Sequence, residues 1–252
     1  MRYITSDNDY RELHSIYSDM VSAFVGTKYQ FQKATSPDDN LSLTCVPMFV
    51  GSSFDDSEQS LMIVGRAVNG WDQEWPDSAD AIATQVLAND FDVDSLSELP
   101  ETDGYYFSRS RFIVVAKEIL RLFGASESNW ASKLAWSNLY KIAPAVAGNP
   151  NGEVQHIQRR AAIQILKKEI DLIRPKHILF MTGYNFPGWT WRNSKTEESF
   201  LKAFGIKSTS DMGEIVEGYA TYNNSKIIVT CRPETKEIKP FAETVRSAFD
   251  KI

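Results

Sequence analysis

The chain has 252 residues, of which 42% are hydrophobic and 24% charged, and its formal net charge at pH 7 is −6. This composition excludes disordered and fibrous proteins, and the length fits one domain with a large core. No apolar run approaches the roughly 20 residues needed to span a bilayer, and the amino terminus lacks the apolar core of a secretory signal. The acidic balance argues against a general nucleic-acid coat protein but leaves room for a local site.

The cysteines and histidines restrict metal and redox chemistry. Cys45 and Cys231 are too few for a disulfide framework or a four-cysteine cluster, so we expect a cytoplasmic protein with reduced thiols. His14, His156 and His177 lack the spacing of metal ligands. The Walker A, dinucleotide-binding and nucleophile-elbow motifs are all missing. We therefore expect no metal, no cofactor and no membrane partner.

In the first half of the chain, hydrophobic periodicity predicts a helix over 7–26, closed by a glycine. VPMFVG (46–51) predicts a short strand. LMIV (61–64) predicts a core strand that ends in the glycine-marked turn GRAVNG (65–70). An amphipathic helix is predicted over 110–123.

In the second half, LAWSNLYKIAP (134–144) predicts a strand that leaves into a loop. A helix is predicted over 153–173, where Pro175 stops it. HILFMTG and KIIVTC predict strands buried on both faces, and a last helix is predicted over 240–252.

Strands separated by helices of this length predict a three-layer α/β/α sandwich with a central, mainly parallel sheet. We expect residues 1–60 to form an amino-terminal helical extension packed on the core, and residues 61–252 to form the α/β/α domain. Three predicted strands end in polar turns, at 65–72, 138–144 and 232–236. Because the carboxyl ends of parallel strands are where ligands bind, these turns predict the site.

The order of these turns resembles the uracil-DNA glycosylase superfamily. The segment from WSNLYKIAP to HILFMTG (136–183) is similar to the N-[VL]-[VY]-K-x-x-P loop, helix and glycine-ended strand of the iron–sulfur branch of that superfamily. GRAVNG stands where the first motif, G-x-x-P-G or G-Q-D-P-Y-H, is found. Arg232-Pro233-Glu234 stands in place of the third motif, H-P-S. The four cysteine ligands of that branch are missing, so the resemblance implies no cluster.

The resemblance, which covers about 61–249, implies a uracil-DNA glycosylase-like fold and specific residue roles. Asn138 stands at the asparagine that hydrogen-bonds the extruded base, since its amide offers both a donor and an acceptor. Arg66 and Ala67 replace the acidic or amide residue that positions the attacking water, and Asp72 lies just beyond them. Arg232 replaces the family histidine; it can stabilise the leaving anion but cannot donate a proton.

From these roles we expect a hydrolytic N-glycosylase that removes uracil or another deaminated base from DNA, with single strands favoured because base extrusion then costs less. The backbone of residues 65–70 would hold water and sugar, and we expect a monomer. The expected site residues are, for catalysis, Arg66, Asp72 and Arg232; for base binding, Gly65, Asn69, Trp71 and Asn138; and for DNA binding, Lys236 and Lys239.

Each assignment has a structural alternative. Asn138 is also suited to capping a strand end, and the two arginines to pairing with Asp72 or Glu234. Trp71 fits a core position as well as a stacking surface. The two lysines fit a solvated helix flank. The alternative function is a non-catalytic protein of this fold that binds a small nucleobase, a nucleotide or a protein partner.

An acidic segment follows the first motif. Between Trp71 and Tyr106 there are ten carboxylates and no lysine or arginine, and residues 72–104 are expected to be an insertion. DNA binding needs positive potential near the site. Three explanations stay open: the insertion points away from the site, it covers the site as a phosphate mimic, or the protein does not bind DNA.

Overall fold

The computed structural model describes residues 3–36, 39–55, 57–68, 70–71, 73–98, 110–186 and 199–252. Within these ranges the chain is a mixed α/β fold, and none of the helices there is long and apolar enough to cross a membrane. The helices are α1 (Asp7–Ser22), α2 (Ala79–Ala88), α3 (Arg111–Leu122), α4 (Gly152–Ile173), α5 (Phe200–Ala203) and α6 (Ile238–Asp250). The strands are β1 (Gln30–Phe31), β2 (Ser42–Cys45), β3 (Phe49–Val50), β4 (Leu61–Gly65), β5 (Leu134–Asn138), β6 (Ile142–Pro144), β7 (His177–Phe180), β8 (Lys207–Ser208), β9 (Val216–Tyr222) and β10 (Ser225–Thr230).

The central sheet has seven strands in the order β3-β5-β4-β7-β10-β9-β8. Its four middle strands, β5, β4, β7 and β10, are parallel, which confirms the predicted mainly parallel sheet. On the flanks, β3 pairs antiparallel with β5, β9 with β10, and β8 with β9. Because β5 and β7 lie on opposite sides of β4, the strand order reverses between β4 and β7. Such a reversal opens a crevice at the carboxyl ends of the strands, where ligands bind.

Hydrophobic cores cover both faces of the sheet, because side chains alternate along each buried strand. In β4, Leu61 and Ile63 pack in the core that contains α3 and α6. Met62 and Val64 face the opposite core, which contains α1, α2 and α4. Helices therefore lie on both sides of the sheet, in a three-layer arrangement.

The first 60 residues contribute more than the expected helical extension. Besides α1 they supply β1 and β2, which form a small second sheet with β6, and β3, which is an edge strand of the central sheet. The acidic segment contains α2, a helix that was not predicted. Its buried residues, Ile82, Ala83, Val86 and Leu87, pack in the core that contains α1.

A buried ion pair joins the turn after β5 to α4. The Nζ atom of Lys141 lies 2.7 Å from a carboxylate oxygen of Glu169, and both side chains have no exposed surface. Ser137 completes the group: its hydroxyl donates to Glu169 at 2.7 Å and accepts from Lys141 at 2.6 Å. Burial lowers the pKa of Lys141, while the neighbouring carboxylate opposes that shift. The pair holds the residues just past Asn138 against α4.

Removing one partner should destabilise the protein strongly. We expect Lys141→Met to lower the free energy of unfolding by about 3–5 kcal/mol, because it leaves the carboxylate of Glu169 buried without a counter-charge. The double variant Lys141→Met/Glu169→Leu should recover most of that loss. Urea unfolding measures both values, and a cost below about 1 kcal/mol for the single variant would contradict a buried charged pair.

His177 opens β7 between two aromatic rings. Its ring stacks on Phe123 at 4.5 Å and meets the edge of Phe249 at 4.8 Å, while Nε2 lies 3.2 Å from Glu58. The residue is only 2% exposed. Burial lowers the pKa of this histidine, and the carboxylate of Glu58 only partly opposes the shift. His177 is therefore structural, at the edge of the sheet opposite the three polar turns.

This lowered pKa makes stability depend on pH. The unfolded chain binds a proton at His177 at a higher pH than the folded chain does. The contribution of His177 to the free energy of unfolding is therefore complete above the unfolded pKa of about 6.5, and it is lost as the pH drops through the folded pKa. We expect the free energy of unfolding to fall less between pH 7.5 and pH 5 in His177→Phe than in the wild-type protein. His156→Phe, an exposed position, is the matched control. An identical pH profile for all three proteins would refute this role.

Candidate functional site

A cavity of about 880 Å³ lies at the carboxyl ends of the four parallel strands. Its lining includes one residue at or just past the end of each strand: Gly65 ends β4, Asn138 ends β5, Met181 follows β7 and Arg232 follows β10. The three polar turns singled out in the sequence therefore meet here. The cavity sits at the reversal of strand order, where the fold leaves room for a ligand.

Asn138 supplies the amide on the wall of the cavity. It shares a face of β5 with Trp136, which also lines the cavity, whereas Ser137 points to the opposite face and joins the buried ion pair. Asn138 is 4% exposed, and in the described ranges its side chain makes no hydrogen bond with another residue. A buried amide normally has partners. Here the donor and acceptor remain available to a ligand.

Two glycines explain the turn that follows β4. Gly65 lies beside Asn138 in the sheet, and a Cβ atom there would stand 2.6 Å from Oδ1 of Asn138 and 3.3 Å from the Phe112 ring. Gly70 has a φ of 74°, and a Cβ atom there would stand 2.5 Å from the carbonyl oxygen of Val146. Glycine is required at both positions, because a Cβ atom at Gly65 would overlap the amide of Asn138 and one at Gly70 would overlap the backbone of the opposing loop.

Arg66 carries a fixed positive charge. Its Nε donates to the carbonyl oxygen of Thr182 at 2.8 Å, and its guanidinium lies 4.3 Å from the centre of the Phe186 ring. Burial lowers the pKa of this arginine, as does the positive charge of Arg232, while Glu234 and Glu217 act in the opposite direction. An arginine remains protonated despite such shifts. Its charge is therefore held in place at the cavity wall.

Two more arginines lie at the mouth. Arg232 forms an ion pair with Glu234, and the two side chains are 47% and 48% exposed. Arg111, at the start of α3, donates from Nη1 to the carbonyl oxygen of Lys236 at 2.5 Å. Among the described residues, the lining thus carries three arginines and one carboxylate. This local positive charge contrasts with the net charge of −6 of the whole chain.

A second, smaller cavity of about 440 Å³ adjoins the first. Arg66 and Asn149 line both cavities. The wall of the second cavity includes the amino-terminal end of α4 and Glu217, whose carboxylate accepts a hydrogen bond from the backbone nitrogen of Tyr184 at 2.5 Å. A ligand larger than the first cavity would extend past Arg66 into this space.

Trp71 does not line either cavity in the part of the chain that the structure describes. Its ring stacks on Phe49 at 5.5 Å and contacts the edge of Phe91 at 6.0 Å, and its Nε1 donates to Gln73. The tryptophan therefore occupies an aromatic cluster next to the core, which matches the core alternative rather than a base-stacking surface. Asn69 and Asp72 lie outside the described residues.

The two lysines expected to bind DNA also lie away from the lining. Lys236 contributes its backbone carbonyl to Arg111, and Lys239 is exposed in the first turn of α6. Both positions fit the solvated helix flank. The polar residues nearest the cavity mouth in this turn are Arg232 and Glu234 instead.

None of the described carboxylates of the acidic segment lines the cavity. Asp77, just before α2, and Asp80, on α2, are exposed. The helix α2 packs against α1 in one core, and Phe112 and Trp136 belong to the core on the other face of the sheet. This placement favours an insertion directed away from the site. Asp72, Glu101 and Asp103 lie outside the described residues.

Sequence reasoning missed Arg111 and Phe112. Phe112 lies within the predicted amphipathic helix 110–123, yet its ring borders Gly65 and lines the cavity. Arg111 stands in SRSRF (108–112), a basic stretch that directly follows the acidic segment. That abrupt change of charge sign was the one available signal.

No protein-family model matches the chain, and no curated protein matches its sequence. Within the ranges described above, no group of three or more histidines, cysteines or carboxylates is placed to hold a metal ion. Burial raises the thiol pKa of Cys231, which precedes Arg232, so this cysteine is not an activated nucleophile. The described lining supplies two amides (Asn138 and Asn149), the hydroxyl of Ser110, three arginines and one carboxylate.

The close approach at Gly65 is testable by a double-mutant cycle. We expect Gly65→Ala to lower the free energy of unfolding by about 1–3 kcal/mol, because the added methyl group overlaps the amide of Asn138. Gly65→Ala/Asn138→Ala should be less destabilised than the sum of the single variants. Urea unfolding of the four proteins measures the coupling. Strict additivity would mean that the two residues do not meet.

Proposed function

We propose that the cavity binds a nucleobase and that the protein is a hydrolytic N-glycosylase with a uracil-DNA glycosylase-like fold. Its substrate would be uracil or another deaminated base in DNA. The observation that carries the proposal is the side chain of Asn138, which is 4% exposed, borders the cavity and has no hydrogen-bond partner among the described residues. A buried, uncommitted amide is costly unless a ligand completes its hydrogen bonds.

The amide fits the edge of a deaminated base. Uracil, hypoxanthine and xanthine each present a carbonyl group next to a ring N–H, and a carboxamide donates to the first and accepts from the second. The rings of Phe112 and Trp136 line the same cavity and supply apolar surface for the faces of the base. The volume of about 880 Å³ falls within the range of small-molecule sites. A base extruded from a strand is read through these two kinds of contact.

Arg66 is the better placed of the two expected arginines to stabilise the leaving group. When the C1′–N bond breaks, its electron pair leaves with the base, and a water oxygen then bonds to C1′ of the sugar. The proton that this water loses passes through solvent and neutralises the base anion. The base anion gains from a positive charge that is already fixed, as Arg66 is by Thr182 and Phe186. Arg232 is half exposed and bound to Glu234, so its charge is less firmly positioned.

A second candidate function follows from the single carboxylate. Glu234 is the sole acidic residue in the described lining, and its ion pair with Arg232 makes it a weaker base for activating water. Without another base, the same cavity would recognise a nucleobase or nucleotide without cleaving it. A non-catalytic protein of this kind would use Asn138 in the same way, so the two candidate functions differ only in whether the N-glycosidic bond is cleaved.

A glycosylase assay separates these functions. The wild-type protein is incubated with single- and double-stranded oligonucleotides that contain uracil, hypoxanthine or xanthine, and abasic sites are revealed by alkaline cleavage. We expect cleavage, faster on single strands, and a loss of about 100-fold in Asn138→Ala, which removes both hydrogen bonds to the base.

Asn129→Ala is the matched control, because Asn129 is exposed and lies before the amino end of β5, at the opposite edge of the sheet. Asn129→Ala should retain full activity. Because both variants are purified in the same way, a glycosylase carried over from the expression host would give the same cleavage in both. Cleavage that persists in Asn138→Ala would refute the assigned role. Binding of the same bases without cleavage would establish the second candidate, and neither binding nor cleavage would refute both.

A further inference from the structure

The turn after β10 holds an ion pair that faces a mostly basic cavity mouth. The backbone nitrogen of Lys236 donates to the carbonyl oxygen of Pro233, which closes the turn, and Arg111 donates to the carbonyl oxygen of Lys236. Arg111 thereby lies against the same turn that carries Arg232 and Glu234. All three charged side chains line the cavity.

Among the described lining residues, this arrangement has more positive charge than its one carboxylate, Glu234, neutralises. Arg232 has Glu234 as its partner, whereas Arg111 contacts a backbone carbonyl and Arg66 lies further in, fixed by Thr182. Guanidinium groups that converge on a cleft without matching carboxylates are typical of phosphate recognition, since each offers a planar pair of donors. An acidic chain that concentrates arginines at one cavity attracts an anionic ligand there.

We propose that Arg111 and Arg232 form a phosphate-binding subsite at the mouth of the cavity, and that Glu234 occupies Arg232 until a nucleotide phosphate displaces it. The inference rests on the proposed function, because the nucleobase in the cavity brings its phosphate to the mouth. Displacement costs little: both partners are about half exposed, and such ion pairs contribute little to stability. Glu234 is thus a competitor built into the chain.

The substrate class follows from this competition. A nucleoside gains only the contacts within the cavity, whereas a nucleotide also exchanges a weak carboxylate pair for charge-assisted hydrogen bonds to two arginines. The phosphate has two sources, a free nucleoside monophosphate or the backbone of a strand. A monoester carries more charge than a diester and should displace Glu234 more completely.

Calorimetric titration tests the subsite with paired ligands. Deoxyuridine and deoxyinosine are compared with their 5′-monophosphates, with 2-deoxyribose 5-phosphate and with single strands that contain one deoxyuridine. We expect each 5′-monophosphate to bind about tenfold more tightly than its nucleoside at low salt. Arg232→Gln and Arg111→Gln should each remove most of that advantage.

Glu234→Gln should raise the affinity for the monophosphate by up to about fivefold, with no matching gain for the nucleoside. Glu237→Gln is the control for a general change of charge, because Glu237 is exposed nearby but does not line the cavity. A similar gain in Glu237→Gln would attribute the effect to net charge and overturn the proposal.

The outcomes separate this inference from the proposed function. Equal affinity for nucleoside and monophosphate, both lost in Asn138→Ala, would overturn the phosphate subsite and leave base recognition intact. Binding of 2-deoxyribose 5-phosphate that depends on Arg232, without any contribution from the base, would support the subsite and refute base recognition. A gain seen with strands but not with monophosphates would identify the backbone as the source. No binding of any ligand would refute both.

Discussion

The buried ion pair between Lys141 and Glu169 fixes the turn after β5, and the cavity depends on that turn. Ser137 and Lys141 are tied to Glu169 on α4, and Asn138 lies between them with its side chain on the opposite face of the sheet. A charged pair with no exposed surface tolerates little movement, because any separation leaves a charge without a partner in the core. Rigid support on one face therefore positions the uncommitted amide on the other.

The electrostatics of the site are local and opposed to those of the whole molecule. The chain has a net charge of −6, yet the described lining of the main cavity has three arginines and one glutamate. The described carboxylates of the acidic segment lie away from it, partly on a helix packed against α1. Bulk charge thus limits indiscriminate binding of nucleic acid, while the arginines supply positive potential where a ligand enters. A single extruded base or a nucleotide suits this distribution better than a long duplex.

Much of the sheet could be predicted from the sequence, because its central strands are continuous apolar runs and each ends in a glycine or polar turn. The convergence of Gly65, Asn138 and Arg232 followed from parallel strand order alone. The short α2 and the antiparallel β9 were missed, the first within an acidic segment and the second because Glu217 and Gly218 interrupt its apolar pattern. The position of an aromatic ring could not be predicted, since an aromatic residue on a helix or turn suits a core and a cavity wall equally well: Phe112 lines the cavity and Trp71 packs against Phe49. Only the fold decides which ring faces the cavity.

Nuclear magnetic resonance of the asparagine side chains tests most directly whether the amide of Asn138 binds a base edge. With ¹⁵N-labelled asparagine, the Nδ2 signal of Asn138 is identified by its absence in Asn138→Asp. We expect this signal to shift in a saturable manner on addition of deoxyuridine or deoxyinosine, while the signal of the exposed Asn129 stays in place. An Asn138 signal that does not move with either nucleoside, or moves no more than that of Asn129, would contradict base recognition by Asn138.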